Sequence, residues 1–246
     1  LKNMDKLSYY DFFAIFIPGT VSIMAFSFIQ NDYTKESLNI FLNISLGSSI
    51  LILILIYTLG EIVQSIGKIV EGVFWKAFGG KPTQWISIEK RNKFIHFIRT
   101  WKLNESQDIL TGKELEIVRN WVKTHSGYNS LDENNFSICF SSIQNIAFQL
   151  DENKKWINIM LAKANMFRGF IVICLISLPF LFLNNTIENY KLNIWISIVF
   201  LILSCLRYRS FSKNYAKKLY ASFLKNIEDQ KNNSPSPRVA KGTFHA

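Results

Sequence analysis

Four apolar runs without a single Asp, Glu, Lys or Arg constrain this chain more than anything else in it: Phe12 to Ile29, Leu38 to Leu59, Gly169 to Leu183 and Leu192 to Leu206. A helix crossing a bilayer needs about 20 apolar residues, with roughly 17 to 25 tolerated, because each residue advances about 1.5 Å through about 30 Å of hydrocarbon. The first run has 18 residues and the second 22, while the last two have 15 each and reach full length with neutral flanking residues. Pro179, followed by Asn184, Asn185 and Thr186, makes the last two a hairpin with a short polar connection. The fold class expected is an all-α membrane protein with four transmembrane helices and a small helical cytoplasmic domain inserted between spans two and three. Mean hydropathy is only +0.13 because it averages these runs with a charged remainder.

Orientation follows the gathering of Lys and Arg on cytoplasmic flanks. After the last run come Arg207, Arg209, Lys213, Lys217, Lys218, Lys225, Lys231, Arg238 and Lys241, nine cations against Glu228 and Asp229. The short connections after the first and third runs are weakly acidic and neutral. Both termini and the long middle segment are therefore expected on the cytoplasmic side of a bacterial inner membrane. The first run contains Pro18-Gly19 and no small-residue cleavage site follows it, so it reads as a span rather than a signal peptide. The organisation expected is 1–37 for the N-terminal segment and first span, 38–80 for the second span and its stem, and 81–168 for the cytoplasmic helical domain. Residues 169–206 form the transmembrane hairpin, and 207–246 a basic amphipathic helix with a disordered tail.

The second span does not stop at Leu59. Ile62, Val63, Ile66, Ile69, Val70, Val73 and Phe74 keep the helical period going to Phe78, before Gly79-Gly80-Lys81-Pro82 breaks it. Within the domain, Thr111 with Glu114 and Ser130 with Glu133 have capping-box spacing and predict two helix starts. A further helix from Asp151 is expected to run through Trp156 into the third span. Trp85, Trp101, Trp121 and Trp156 are the expected anchors of the domain core.

Catalytic signatures are missing from the pattern. Gly80-Lys81 lacks the Ser or Thr and the preceding glycine of a phosphate loop. His96, His125 and His245 have no metal partner at a useful spacing. Cys139, Cys174 and Cys205 read as small buried hydrophobes. No enzyme activity, metal or cofactor is expected.

Four constellations remain. Glu61, Gln64, Lys68 and Glu71 form a polar line at spacings of three, four and three on the stem; they line a pore vestibule in an oligomer, or face cytosol as a solvated stripe. Pro18 and Gly19 are a gate hinge or a static kink whose freed carbonyl needs a partner. Lys90, Arg91, Lys93, Arg99 and Lys102, interleaved with Phe94, Phe97 and Trp101, accept an anionic ligand, rest on acidic lipid, or are simply solvated. Arg207, Arg209, Lys213, Lys217 and Lys218 lie on an amphipathic helix with Tyr208, Phe211, Tyr215, Leu219 and Phe223, expected to anchor at the inner leaflet. Ser45 and Ser49 add a small-residue pair for close helix packing.

Tyr9-Tyr10-Asp11-Phe12-Phe13 with Ile17-Pro18-Gly19, and Arg207-Tyr208-Arg209 with Phe211 and Tyr215, resemble the two ends of bacterial four-span membrane effectors of anti-phage defence systems, the Hailong-type transmembrane effectors. The resemblance covers about 25 residues and the general layout. It implies an oligomeric channel, kept shut until infection and opened by a nucleotide-derived signal from a soluble nucleotidyltransferase partner, so that depolarisation stops growth. The expectation is a homo-oligomeric ion channel or membrane-perturbing effector gated through its cytoplasmic domain. Its rival is a non-conducting adaptor that docks a soluble partner protein through the cytoplasmic helices.

Overall fold

The structure is a computed structural model and describes residues 9–29, 46–77, 80–84, 109–110, 112–126, 133–149, 151–183 and 190–233. Among these residues every regular element is helical and no strand occurs. Helix α1 has three stretches, Tyr9–Asp11, Phe12–Phe16 and Ile17–Ile29, the middle one π-helical. Helix α2 is Leu46–Ala77, and a 3-10 turn, Pro82–Gln84, follows it. Then come α3, Gly112–Ser126; α4, Glu133–Ala147; α5, Asp151–Leu183; and α6, Tyr190–Asn233.

Three of these helices are long and apolar enough to cross a membrane, over Ser49–Ala77, Lys154–Leu183 and Lys191–Gln230. The apolar stretch of α1, Tyr9–Ala25, is shorter. With 32, 33 and 44 residues, α2, α5 and α6 are about 48, 50 and 66 Å long. Each outruns the roughly 30 Å of hydrocarbon, so each also extends beyond it. Leu51 and Ile54 on α2, Phe180 and Phe182 on α5, and Ile196 and Leu203 on α6 are all more than half exposed. Water does not tolerate such a belt, whereas lipid solvates it; the three helices point to a membrane location.

Helices α5 and α6 pack antiparallel along their length. Leu181 meets Ile194 at one end, Ile171 clusters with Tyr208 further along, and Ile157 shares a core with Tyr215 and Leu219 at the other. That last core is the helical domain. Val118 and Val122 from α3, Ile143 and Ala147 from α4, Ile157 from α5, and Ala216, Leu219, Tyr220 and Phe223 from α6 are its most buried members. Ser222 and Asn226 on α6 bond the carbonyls of Ala147 and Ile146, which end α4. Tyr220 donates to the carbonyl of Thr83 and holds the 3-10 turn against the domain.

Several expectations meet the structure directly. Helix α3 begins at Gly112, immediately after Thr111, and α4 begins at Glu133. Helix α5 runs unbroken from the domain into its apolar half. Helix α2 ends at Ala77, and the amide of Gly80, at φ 100°, returns to the carbonyl of Trp75 at 2.7 Å, satisfying one of the orphan acceptors of the helix end. Three findings differ. Trp156 is 57% exposed and is not part of the domain core among the described residues, while Trp75, on the stem, is 3% exposed. The face of α6 carrying Tyr208, Tyr215, Leu219 and Phe223 closes on the protein's own helices rather than being left free for lipid. Helix α6 continues to Asn233, past Asp229, where the tail was expected to begin. Trp85 and Trp101 lie outside the described residues.

Candidate functional site

The polar line on α2 divides. A helix turns about 100° per residue, so Gln64 and Glu71 lie close to one angle and Glu61 and Lys68 close to another, and the neighbouring helices cover only the first pair. Gln64 is 7% exposed and the Glu71 side chain 15%, whereas Glu61 and Lys68 are exposed.

The inward pair builds a hub that joins three helices. Pro18 has no N–H to offer the carbonyl of Ala14, and α1 absorbs the defect as a π turn in which the amide of Ile17 reaches back to Phe12. Gln64 Nε2 donates to that Ala14 carbonyl at 2.6 Å and to the carbonyl of Asn165 at 3.0 Å. Gln64 Oε1 accepts from Arg168 Nη2 at 2.7 Å. Arg168 Nη1 pairs with Glu71 Oε2, and Lys81 Nζ lies 2.6 Å from Glu71 Oε1, while Arg168 Nε is buried without a hydrogen-bond partner. Asn165 Nδ2 donates to the Tyr10 hydroxyl at 2.8 Å. A buried amide and a buried guanidinium are tolerable only when bonded in this way.

Glycines let the helices come close enough for these bonds. A Cβ on Gly19 would stand 2.0 Å from the carbonyl oxygen of Ile56, and one on Gly60 2.2 Å from that of Ile15, so α1 and α2 cross backbone to backbone. Gly169 admits Pro18 and Gln64, and Gly67 admits the flat face of Arg168. Pro18 and Gly19, read from sequence as a hinge or kink, thus sit buried where α1 and α2 cross backbone to backbone. Ser45 lies outside the described residues.

The outward pair belongs to a longer stripe. Thr58, Glu61, Ser65, Lys68 and Gly72 are all exposed, at spacings of three and four. Beside them run Leu55, Ile62, Ile69 and Val73, of which Ile69 and Val73 are 73% and 70% exposed. The hydroxyls of Thr58 and Ser65 bond back to the carbonyls of Ile54 and Glu61. Depth makes the stripe unusual. Gln64 touches Gly169, the first residue of the apolar run of α5, and Glu61 lies one helical turn further toward the apolar half of α2. An exposed carboxylate therefore sits within the level of the apolar belt.

A cleft of about 200 Å³ opens below the hub, between α2, the 3-10 turn, α4, α5 and α6. Glu71 and Lys81 line it, and Trp75 and Tyr208 form one wall, the indole donating to the phenol at 3.0 Å. Sequence reasoning missed Arg168, Asn165, Trp75 and Tyr208 as a unit. One signal was available: Arg168 is the last charge before an apolar run, a position where a cation must find a partner.

Lys90, Arg91, Lys93, Arg99 and Lys102 lie outside the described residues, as do His96 and His245. Arg207 and Lys218 are exposed and Arg209, Lys213 and Lys217 half-buried along α6. Cys139 and Cys174 are buried. His125 is exposed and stacks on Trp121. No cluster of three or more metal-ligating side chains occurs among the described residues. No protein family, characterised protein or solved structure matches the chain.

Proposed function

We propose that this chain is the subunit of a homo-oligomeric inner-membrane channel or membrane-perturbing effector, with four spans, both termini in the cytoplasm, and gating through the helical domain. The observation that carries the reading is the exposed stripe Thr58, Glu61, Ser65, Lys68 and Gly72 on a helix whose neighbouring surfaces are apolar. A charge facing lipid costs about 2.5 to 3.5 kcal/mol at the centre of a span and less toward its edge, where Glu61 lies. A water-filled lumen removes that penalty, and one copy has too few spans to enclose a lumen. In the oligomer Glu61 forms a carboxylate ring that favours cations, with Lys68 as a second, opposing ring nearer the domain. This departs from the four-residue line read from sequence, because Gln64 and Glu71 are engaged inside the subunit.

A role in anti-phage defence, with a nucleotidyltransferase partner or a nucleotide-derived signal and abortive infection as the outcome, rests on the resemblance of the two end segments. Residues of both segments bond to the long helices, Tyr10 to Asn165 on α5 and Tyr208 to Trp75 on α2.

Planar-bilayer recording of the purified oligomer tests the channel. Glu61→Gln is expected to reduce cation-over-anion permeability several-fold, and Lys68→Ala to raise cation conductance, since each changes one charge per subunit in a confined lumen. Both variants conducting as the native protein does would remove the stripe from the pore. Absence of conductance in the native protein, together with a monomeric mass in detergent, would favour the non-conducting adaptor.

A further inference from the structure

The cleft below the hub holds polar groups that the hub does not use. The Tyr215 side chain is only 9% exposed, yet its hydroxyl, which faces the cleft, has no hydrogen-bond partner among the described residues. Ser212, one turn away on the same face of α6, also lines the cleft and is likewise without a partner there. Across from them stands Lys81, whose side chain is half exposed. Ser212 is half-buried, and two hydroxyls converging on one cavity beside a lysine mark a place for an acceptor.

Charge identifies the acceptor's sign. Arg168 and Lys81 share the single carboxylate of Glu71, one on each oxygen, which leaves the group with one positive charge in excess. Size bounds the ligand. About 200 Å³ falls below the roughly 300 Å³ at which pockets for drug-sized molecules begin. The remaining walls, Trp75, Pro82, Phe140 and Leu161, are apolar and suit a short organic body. Position suggests the source. Tyr208, which Trp75 meets, lies two residues beyond Leu206, the last residue of the fourth apolar run, at the level where aromatic side chains meet lipid headgroups.

We propose that this cleft binds the anionic phosphate of a small phosphate ester, with Lys81 as its counter-ion and the Ser212 and Tyr215 hydroxyls as donors to its oxygens. An anion on Lys81 competes with Glu71, so occupancy changes the pairing of the residue that holds Arg168. The proposal stands on the cleft alone and survives if the protein does not conduct.

The test uses full-length protein in a maltoside detergent, which contributes no phosphate. Dioleoyl phosphatidylglycerol probes the lipid source by native mass spectrometry, with a neutral galactosyl diacylglycerol as control. Glycerol 3-phosphate probes the soluble source by calorimetry. Expected is one phosphate ligand per chain and none of the neutral lipid. Phosphatidylglycerol alone would assign the site to a headgroup, and glycerol phosphate alone to a soluble ester; either supports the site. Ser212→Ala and Tyr215→Phe, which remove one hydroxyl each and preserve shape, are expected to weaken binding about 2- to 10-fold, and Lys81→Gln by 10-fold or more. Failure of both probes to bind overturns the proposal. So does binding that all three variants, with native helix content by circular dichroism, leave unchanged.

Discussion

Replacing Arg168 by methionine is expected to destabilise the protein by about 3 to 5 kcal/mol, the usual result of removing one partner from a buried ion pair. Arg168 is 6% exposed. Its loss strips the donor from Gln64 Oε1, which no other described group supplies, and leaves Glu71 with Lys81 alone. The penalty arises from the groups left behind. Changing Glu71 to leucine in the same chain removes the carboxylate that Lys81 alone then holds, and the double variant is expected to recover part of the loss. Thermal unfolding in detergent, followed by circular dichroism, gives the comparison; a shift on the order of 10 °C is expected for the single variant. An Arg168→Met protein that melts with the native one would show that the hub does not hold the helices together.

Adding one methyl group at Gly19 or at Gly60 is expected to be about as damaging as a deletion in a packed core. In the middle of a helix alanine is intrinsically better than glycine by about 1 kcal/mol. Here the new Cβ would meet the carbonyl oxygen of Ile56 or Ile15 at 2.0 or 2.2 Å, and a backbone oxygen cannot rotate aside as a side chain can. Helices α1 and α2 must separate, which lengthens the bond from Gln64 to the Ala14 carbonyl. A net loss of about 3 kcal/mol is expected, at the upper end of the overpacking range. Gly72→Ala is the internal control, because no atom lies within 4 Å of its added Cβ; it should stabilise the helix by up to about 1 kcal/mol. Equal unfolding midpoints for all three alanine variants would rule out the close crossing.

The π turn and the hub explain why Pro18 was only half legible. A proline in an apolar run announces an orphaned carbonyl, and that much is local chemistry. That Gln64, 50 residues away from Ala14, supplies the hydrogen bond is a matter of helix packing. The same limit applies to the tryptophans. Trp156 lies in a helical pattern much like that of Trp75, but Trp156 is exposed while Trp75 meets Tyr208, 133 residues further on.

What the sequence by itself determined is which segments are long and apolar enough to cross a membrane. Freedom from charge over a long segment is a local property, and hydrocarbon responds to it segment by segment, so the apolar runs, the break after Ala77 and the starts of α3 and α4 were all readable. What only the tertiary structure decided is which edge of α2 faces where. Glu61, Gln64, Lys68 and Glu71 span about 80° of the helix surface, narrow enough to read as one line and wide enough to straddle a packing boundary. Arg168, arriving about a hundred residues later on α5, takes Gln64 and Glu71 inward and leaves Glu61 and Lys68 exposed.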